Sequence, residues 1–296
     1  MAHPESTPVF TKDARAREGR APAGIAPLER LEMELLLEAV FRHYGFDFRA
    51  YAFSSLRRRL HKRMEAEALT TLSGLQERVL HDRACLERLL KDLSINVTAM
   101  FRDPSFFLAF RREVVPLLRT YPFLRVWHAG CSTGEEVYAM AILLREEGLL
   151  DRTRIYATDI NPEVIHTAKA GIYPIARMQE YTQNYLKSGG TGAFSDYYVA
   201  NYDAARFDST LMKGTLFTQH NLATDRSFSE FNVIICRNVL IYFDRGLKDR
   251  SLKLFHDSLA NFGVLALGRK ESLRFTGSEE LYTVISEREK VYRRRQ

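Results

Sequence analysis

A short apolar, β-rich run, Leu124–Ala129, stops at Gly130, and a helical pattern follows from about Glu135 to Glu147. A second such run, Arg154–Thr158, ends at Asp159, and Pro162–Ala170 again reads as helix. This alternation limits the fold more than any other feature. Successive strand–helix–strand units pack as a parallel sheet with helices on both faces. The pattern resumes with a strand at Phe231–Cys236, a helix over Lys248–Phe262, a strand at Val264–Leu267, and a closing hairpin from Leu281–Ile285 and Val291–Arg294. Between Ile175 and Asn221 it breaks. Gly189, Gly190 and Gly192 and the β-like runs Tyr197–Val199 and Leu216–Gln219 predict a helix and then a small antiparallel β insertion, placed at residues 175–220. The expected class is α/β.

Ahead of this region, Leu28 to about Leu93 reads as all-helical. Leu31, Leu35, Leu36, Ala39 and Val40 recur at helical spacing, and Gly45 closes that helix. The next helix, Tyr51–Glu67, places Leu56, Leu60 and Met64 on one face and Arg57, Arg58, Arg59, Lys62 and Arg63 on the others. Thr71–Leu80, with Ser73 or Thr70 near its start, and Asp82–Leu93 supply two more. Residues 1–26 hold Pro4, Pro8 and Pro22, scattered charge and few large apolar groups, which predicts a disordered tail. The chain thus divides into a tail (1–26), an all-α N-terminal domain (27–95) and an α/β domain (96–296).

Hydrophobic residues make up 46% and charged residues 27% of the chain, enough for a sizeable core. The net charge of +6 suits an acidic partner, and solvated Lys and Arg account for it equally well. Three cysteines, Cys85, Cys131 and Cys236, make neither a disulfide framework nor a CxxC zinc pair, so no metal is expected. Nothing approaches a membrane-spanning apolar run or a signal-peptide core. The expected location is cytoplasmic, without membrane insertion.

Three constellations carry chemistry. The segment His128-Ala-Gly-Cys-Ser-Thr-Gly-Glu-Glu136 joins a strand to a helix, and its glycines allow a tight turn and close approach to a ligand. Asp159, at the end of the next strand, stands where an acid takes ribose hydroxyls in nucleotide-binding α/β units. The three-glycine dinucleotide pattern is missing, and no Gly-Lys-Ser/Thr follows. These absences disfavour NAD and exclude a P-loop, leaving a smaller adenosine-type ligand. The segment Asn96-Val-Thr-Ala-Met-Phe-Arg-Asp103 places Arg102 among Met100, Phe101, Phe106 and Phe107. A guanidinium in that company needs an anion, from a ligand or from a neighbour such as Asp103. The third, Cys236-Arg-Asn-Val-Leu-Ile-Tyr-Phe-Asp244, follows a strand and puts Arg237, Asn238 and Tyr242 beyond the sheet's carboxyl edge, where ligands bind; Tyr242 as an ordinary core residue is the alternative.

The motifs NVTAMFRD, STGEE, ATDIN, QHNL and CRNVLIYFD, in this order and spacing, resemble the CheR family, the chemoreceptor glutamate methyltransferases of bacterial chemotaxis. The resemblance runs from about Leu28 to the C-terminus, and GFDFRAYAFSSLRRRLHKRM resembles the family's basic N-terminal helix. It implies a Rossmann-like S-adenosylmethionine-dependent methyltransferase domain, with S-adenosyl-L-methionine as cofactor and S-adenosyl-L-homocysteine as product. Asn96, Thr98, Arg102, Glu136, Asp159, Asn221, Leu222, Arg237 and Asn238 would surround the cofactor, with Gly130 at the turn. Arg102 and Tyr242 would face the transfer point. Arg57, Arg58, Arg59 and Arg63 would dock on the acidic helical methylation region of a chemoreceptor or sensor protein.

The sequence departs from the family at Gly268-Arg-Lys-Glu-Ser272, where Gly-His-Ser-Glu-Ser is usual. Its β insertion also looks longer than in enzymes that bind a receptor's C-terminal pentapeptide, which leaves that tether in question. Two other readings stay open. Nucleic-acid amino methyltransferases tend to carry Asp/Asn-Pro-Pro-Tyr/Phe where this chain has Arg237-Asn238-Val239-Leu240, so nucleic acid is not the expected partner. A non-catalytic cofactor- or receptor-binding module is the other, against which the retained Arg102, Asp159, Arg237, Asn238 and Tyr242 argue.

Overall fold

The computed structural model describes residues 25–94, 98–274 and 276–296. Asn96 and all but the last two residues of the expected tail lie outside them. The N-terminal region holds four helices, α1 (Pro27–Tyr44), α2 (Phe53–Ala66), α3 (Leu72–His81) and α4 (Arg83–Leu93). Local chemistry sets their ends. Pro27 opens α1, and Gly45, in the left-handed region, closes it by donating its N–H to the Phe41 carbonyl. Thr71, rather than Ser73 or Thr70, caps α3 by accepting from the Gly74 N–H, and Asp82 caps α4 by accepting from the Ala84 N–H. The buried stripe of α1 is Met33, Leu36, Leu37 and Val40. Leu31 and Leu35, expected inside, are 51% and 49% exposed, because α1 packs mainly on α3 and one narrow stripe covers that contact.

The second region begins with α5 (Pro104–Ala109), a π-helical turn (Phe110–Val114) and α6 (Val115–Leu118). There follow β1 (Leu124–Ala129), α7 (Glu135–Glu146), β2 (Thr153–Asp159), α8 (Pro162–Ala170), β3 (Ile172–Pro174), α9 (Met178–Lys187), β4 (Tyr198–Asn201), β5 (Ala204–Phe207), β6 (Thr215–Gln219), β7 (Phe231–Cys236), α10 (Arg245–Ser258), β8 (Leu259–Leu267), β9 (Tyr282–Ser286) and β10 (Val291–Arg294). The main sheet has the order β6-β2-β1-β7-β8-β10-β9. Its first five strands run parallel and β10 lies antiparallel to both neighbours, a Rossmann-like arrangement. Period-2 alternation sends Val126, Val233 and Ile235 to the core beneath α7, and Trp127, Ile234 and Leu265 to the core against Phe255 of α10. From β1 the chain builds β2 and β6 on one side and β7 and β8 on the other. The crevice between β1 and β7 is therefore the switch point, where α/β sheets bind ligands.

Two expectations are corrected. The insertion placed at residues 175–220 is a three-stranded sheet, β3-β5-β4, that begins at Ile172. Leu216–Gln219 does not belong to it: β6 pairs in parallel with β2, Ile155–Asp159 against Thr215–Gln219. The helix expected over Lys248–Phe262 ends at Ser258, since Leu259 pairs with Phe231 and both are fully buried. Strand pairing across the sheet overrides a local pattern that suits either state.

Candidate active site

The loop after β1 is shaped by two glycines with positive φ. Gly130 has φ +81°, and a Cβ there would meet Val239 Cγ2 at 2.5 Å, so the loops after β1 and β7 touch only because the side chain is missing. Gly134 has φ +93°, and its Cβ would come within 2.8 Å of Ala168 Cβ. The N–H groups of Gly130 and Cys131 both donate to the Thr158 carbonyl at 2.8 Å, which ties this loop to the end of β2. Asp159 is buried there. Its Oδ2 accepts from the Ser132 N–H at 2.9 Å and its Oδ1 from the Asn161 N–H at 3.0 Å. Burial pushes its carboxyl above the ordinary value, against the opposing pull of the Asn161, Ser132 and Ile160 N–H groups.

Arg237, just past β7, is the electrostatic centre of the site. Its side chain is 1% exposed. Nη2 donates to Asp103 Oδ2 at 2.7 Å, Nη1 donates to Glu136 Oε2 at 2.8 Å, and the guanidinium lies 4.0 Å from the centre of the Phe106 ring. Glu136 Oε1 is also 3.3 Å from His128 Nδ1. Burial works to raise the Glu136 carboxyl, but the Arg237 charge and the His128 contact outweigh it and hold the group below its ordinary value. Asp103, weighed as a neighbour for Arg102, pairs with Arg237. Asp103 has φ +54° at the start of α5, and its carboxylate carries Arg237.

These loops enclose a cleft of about 910 Å³, open mouth included. Thr98, Arg102, Gly130, Glu136, Asp159, Asn221, Leu222, Arg237, Asn238 and Tyr242 all line it. It also takes in Tyr51, Ser132 and His220, which the sequence did not single out. Ser132 and His220 each gave one sign, their places inside the glycine loop and the QHNL motif; Tyr51 arrives through tertiary placement. Among the described residues, Ser132 Oγ, His220 Nδ1 and Asn221 Nδ2 are buried without a protein partner, so the cleft offers polar atoms to a ligand. No group of metal-binding side chains occurs among the described residues.

The helical region closes one side. The Ala52 N–H donates to the Tyr242 carbonyl at 2.7 Å, and the Asp244 N–H donates to the Ala50 carbonyl at 2.9 Å, so Tyr51 and Phe243 form an antiparallel bridge with their rings 5.0 Å apart. Arg59 stacks its guanidinium 5.0 Å from the Tyr242 ring centre.

That stacking corrects the expectation of a four-arginine docking face on α2. Arg59 is buried and donates to the Leu93 carbonyl and to Ser55 Oγ. Arg63, 14% exposed, pairs with Asp92 and Glu67. Arg57 donates from Nε and Nη2 to Glu29. Arg58 is exposed, and Lys62 beside it is 74% exposed. A helix with six basic side chains among its residues distributes most of them to acids of its own domain.

Residues 96–291 match the family described as CheR methyltransferase, SAM binding domain, and residues 31–94 match the CheR methyltransferase all-alpha domain. This chain belongs to the CheR methyltransferase family. It is 51% identical over 264 residues to a Pseudomonas putida protein named Cher3, covering 89% of this chain and 97% of that one. It is 30% identical over 236 residues to the chemotaxis protein methyltransferase of Listeria innocua, covering 79% and 87%. It is 30% identical over 231 residues to chemotaxis protein methyltransferase 1 of Pseudomonas aeruginosa, covering 73% and 80%. The chain is thus an S-adenosyl-L-methionine-dependent methyltransferase of the CheR family. The cleft suits that cofactor by its place at the switch point, its buried acid after β2 and its partnerless polar atoms. Among the described residues, no helix of this CheR-family chain is long and apolar enough to cross a membrane.

Proposed function

We propose that this CheR-family enzyme methylates glutamate carboxylates of a chemoreceptor or an allied signalling protein, giving glutamate methyl esters. The observation that carries the reading is that a cation and a phenol, Arg102 and Tyr242, line the same cleft as Asp159 and Asn238. A cation and a hydroxyl donor suit an incoming carboxylate.

The cofactor supplies an electrophilic methyl group on a sulfonium. The chain supplies position. Asp159 would hold the ribose hydroxyls. Glu136, kept ionised by Arg237 and His128, would face the cofactor's cationic amino end. Thr98, Asn221, Leu222 and Asn238 would complete the wall. Asn96, outside the described residues, is carried here from its motif alone. Tyr242 would orient the substrate carboxylate by donating its hydroxyl proton, and Arg102 would align it. A glutamate side chain has a pKa of about 4.3 and is ionised at neutral pH, so no general base is required. Alignment alone can contribute up to roughly 7–11 kcal/mol, and Tyr51 and Phe243, which line the cleft, would help exclude water from the reacting pair.

The partner is the acidic helical methylation region of a receptor in the cytoplasm, met by the exposed Arg58 and Lys62 rather than by all of α2. The test is incubation with methyl-labelled cofactor and a membrane fraction from the native cell. A receptor-sized band whose label is released by mild base supports ester formation. Base-stable label would point to N-methylation and overturn the reading.

A further inference from the structure

The departing motif Gly268–Ser272 holds a carboxylate that does not itself line the cleft and, among the described residues, pairs with no cation. Glu271 is 5% exposed. Its Oε1 accepts from the N–H groups of Val239 at 2.9 Å and Ile241 at 3.3 Å, and its Oε2 accepts from those of Asn238 at 3.1 Å and Gly268 at 2.5 Å. Converging backbone N–H groups make an anion nest, and here the protein fills the nest itself.

Three of the four donors lie in the loop that carries Asn238 on the cleft wall and leads into Tyr242. Asn238 has φ +62°. A non-glycine residue in that region costs roughly 1–3 kcal/mol and persists where its surroundings over-determine it. Glu271 supplies that determination directly, through the Asn238 N–H and those of Val239 and Ile241 that follow it. The other side of the clamp is equally tight. A Cβ at Gly268 would stand 2.7 Å from Glu271 Oε2 and 2.8 Å from the Asn238 nitrogen.

We propose that Glu271 is a positioning residue for methyl transfer: its carboxylate locks the 238–241 loop so that Asn238 and Tyr242 face the cleft. The proposal rests on the cleft being the cofactor site. Substitution Glu271→Gln puts an amide NH₂ against backbone N–H donors. The expected result is a tenfold or greater loss of S-adenosylhomocysteine affinity by calorimetry. Hydrogen exchange is expected to accelerate at Asn238, Val239 and Ile241 while the amides of β1 and β2 keep their protection. A general loss of stability would instead raise exchange throughout and leave the affinity of the folded protein unchanged.

A folded Glu271→Gln protein with wild-type affinity and wild-type exchange in the loop overturns the proposal. Should that variant fail to fold, Gly268→Ala decides, because it displaces the same carboxylate while keeping its charge: selective loop exchange with weakened binding supports the lock, and unchanged binding sinks it. Asp159→Ala separates the two levels. If it binds the ligand normally, the cleft reading fails and the lock falls with it; if it binds weakly while Glu271→Gln binds normally, the lock alone fails.

Discussion

The cleft wall and the basic helix α2 both concentrate arginine, and they use it in opposite ways. In the wall a single buried guanidinium, Arg237, serves Asp103, Glu136 and the Phe106 ring together, so three separate sequence motifs meet on one side chain. On α2 the arginines go to separate partners: Arg57 to Glu29, Arg59 to a backbone carbonyl and the Tyr242 ring, and Arg63 to Asp92 and Glu67. The difference teaches that a run of positive charge states how much cation a segment carries and nothing about where it points. The direction comes from which carboxylates the fold brings within reach.

The contrast can be broken most decisively at its centre. Arg237→Ala leaves Asp103 and Glu136 without their shared cation, and breaking a buried pair in this way costs about 3–5 kcal/mol. The midpoint of urea unfolding should fall accordingly, and an unchanged midpoint would end the claim that the network is structural. Arg102→Ala should act on chemistry instead. Turnover is expected to drop on the order of a hundredfold, as for loss of one oriented charge-stabilising donor, with the urea midpoint retained. Wild-type turnover would remove Arg102 from the mechanism.

On α2 the effects should be smaller and mainly structural. Arg63→Ala strips charged hydrogen bonds from Asp92 and Glu67 and should cost about 2 kcal/mol in the same unfolding assay, a result that a purely partner-facing arginine would not give. Acid should weaken the same network. The Arg88 bond, with help from Arg63, holds the Glu67 carboxyl down at about 2. A carboxyl lowered on folding stabilises fully above its unfolded value and loses that contribution as the pH falls toward the folded one. Melting followed by circular dichroism should therefore decline from about pH 5 toward 2, with a shallower decline in Glu67→Gln. Least affected in stability is Arg58→Glu, within about 0.5 kcal/mol. Its effect belongs to partner encounter, as a raised KM for receptor that fades as salt is added. A shift in melting with no change in KM would reverse the assignment.

The sequence made the parallel strands legible where burial on both faces left a largely apolar run. Leu124–Ala129 and Phe231–Cys236 have the bounds read from it, and Asp159 stands at the end of its strand as expected. The cleft followed, because glycine turns and acids at strand ends are local features whose geometry the chain direction fixes. What escaped depended on distant pairing. Thr215–Gln219 shows no alternation that distinguishes an edge strand of the main sheet from a strand of the small one. Leu259 suits a helix until Phe231 lies beside it. Tyr51 and the burial of Arg59 are products of docking between the helical and α/β regions, and no spacing along the chain encodes them; His220 is set by its packing on Trp127 and Phe228 within the α/β region.

The two backbone hydrogen bonds that join Ala50 and Ala52 to Asp244 and Tyr242 make the helical region and one wall of the cleft one mechanical piece. A chimaera that borrowed its first ninety or so residues from a relative, in order to redirect the enzyme to a new target, would inherit a new seat for the Tyr242 ring as well. If the proposed docking and transfer roles hold, choice of target and speed of transfer meet at this seam.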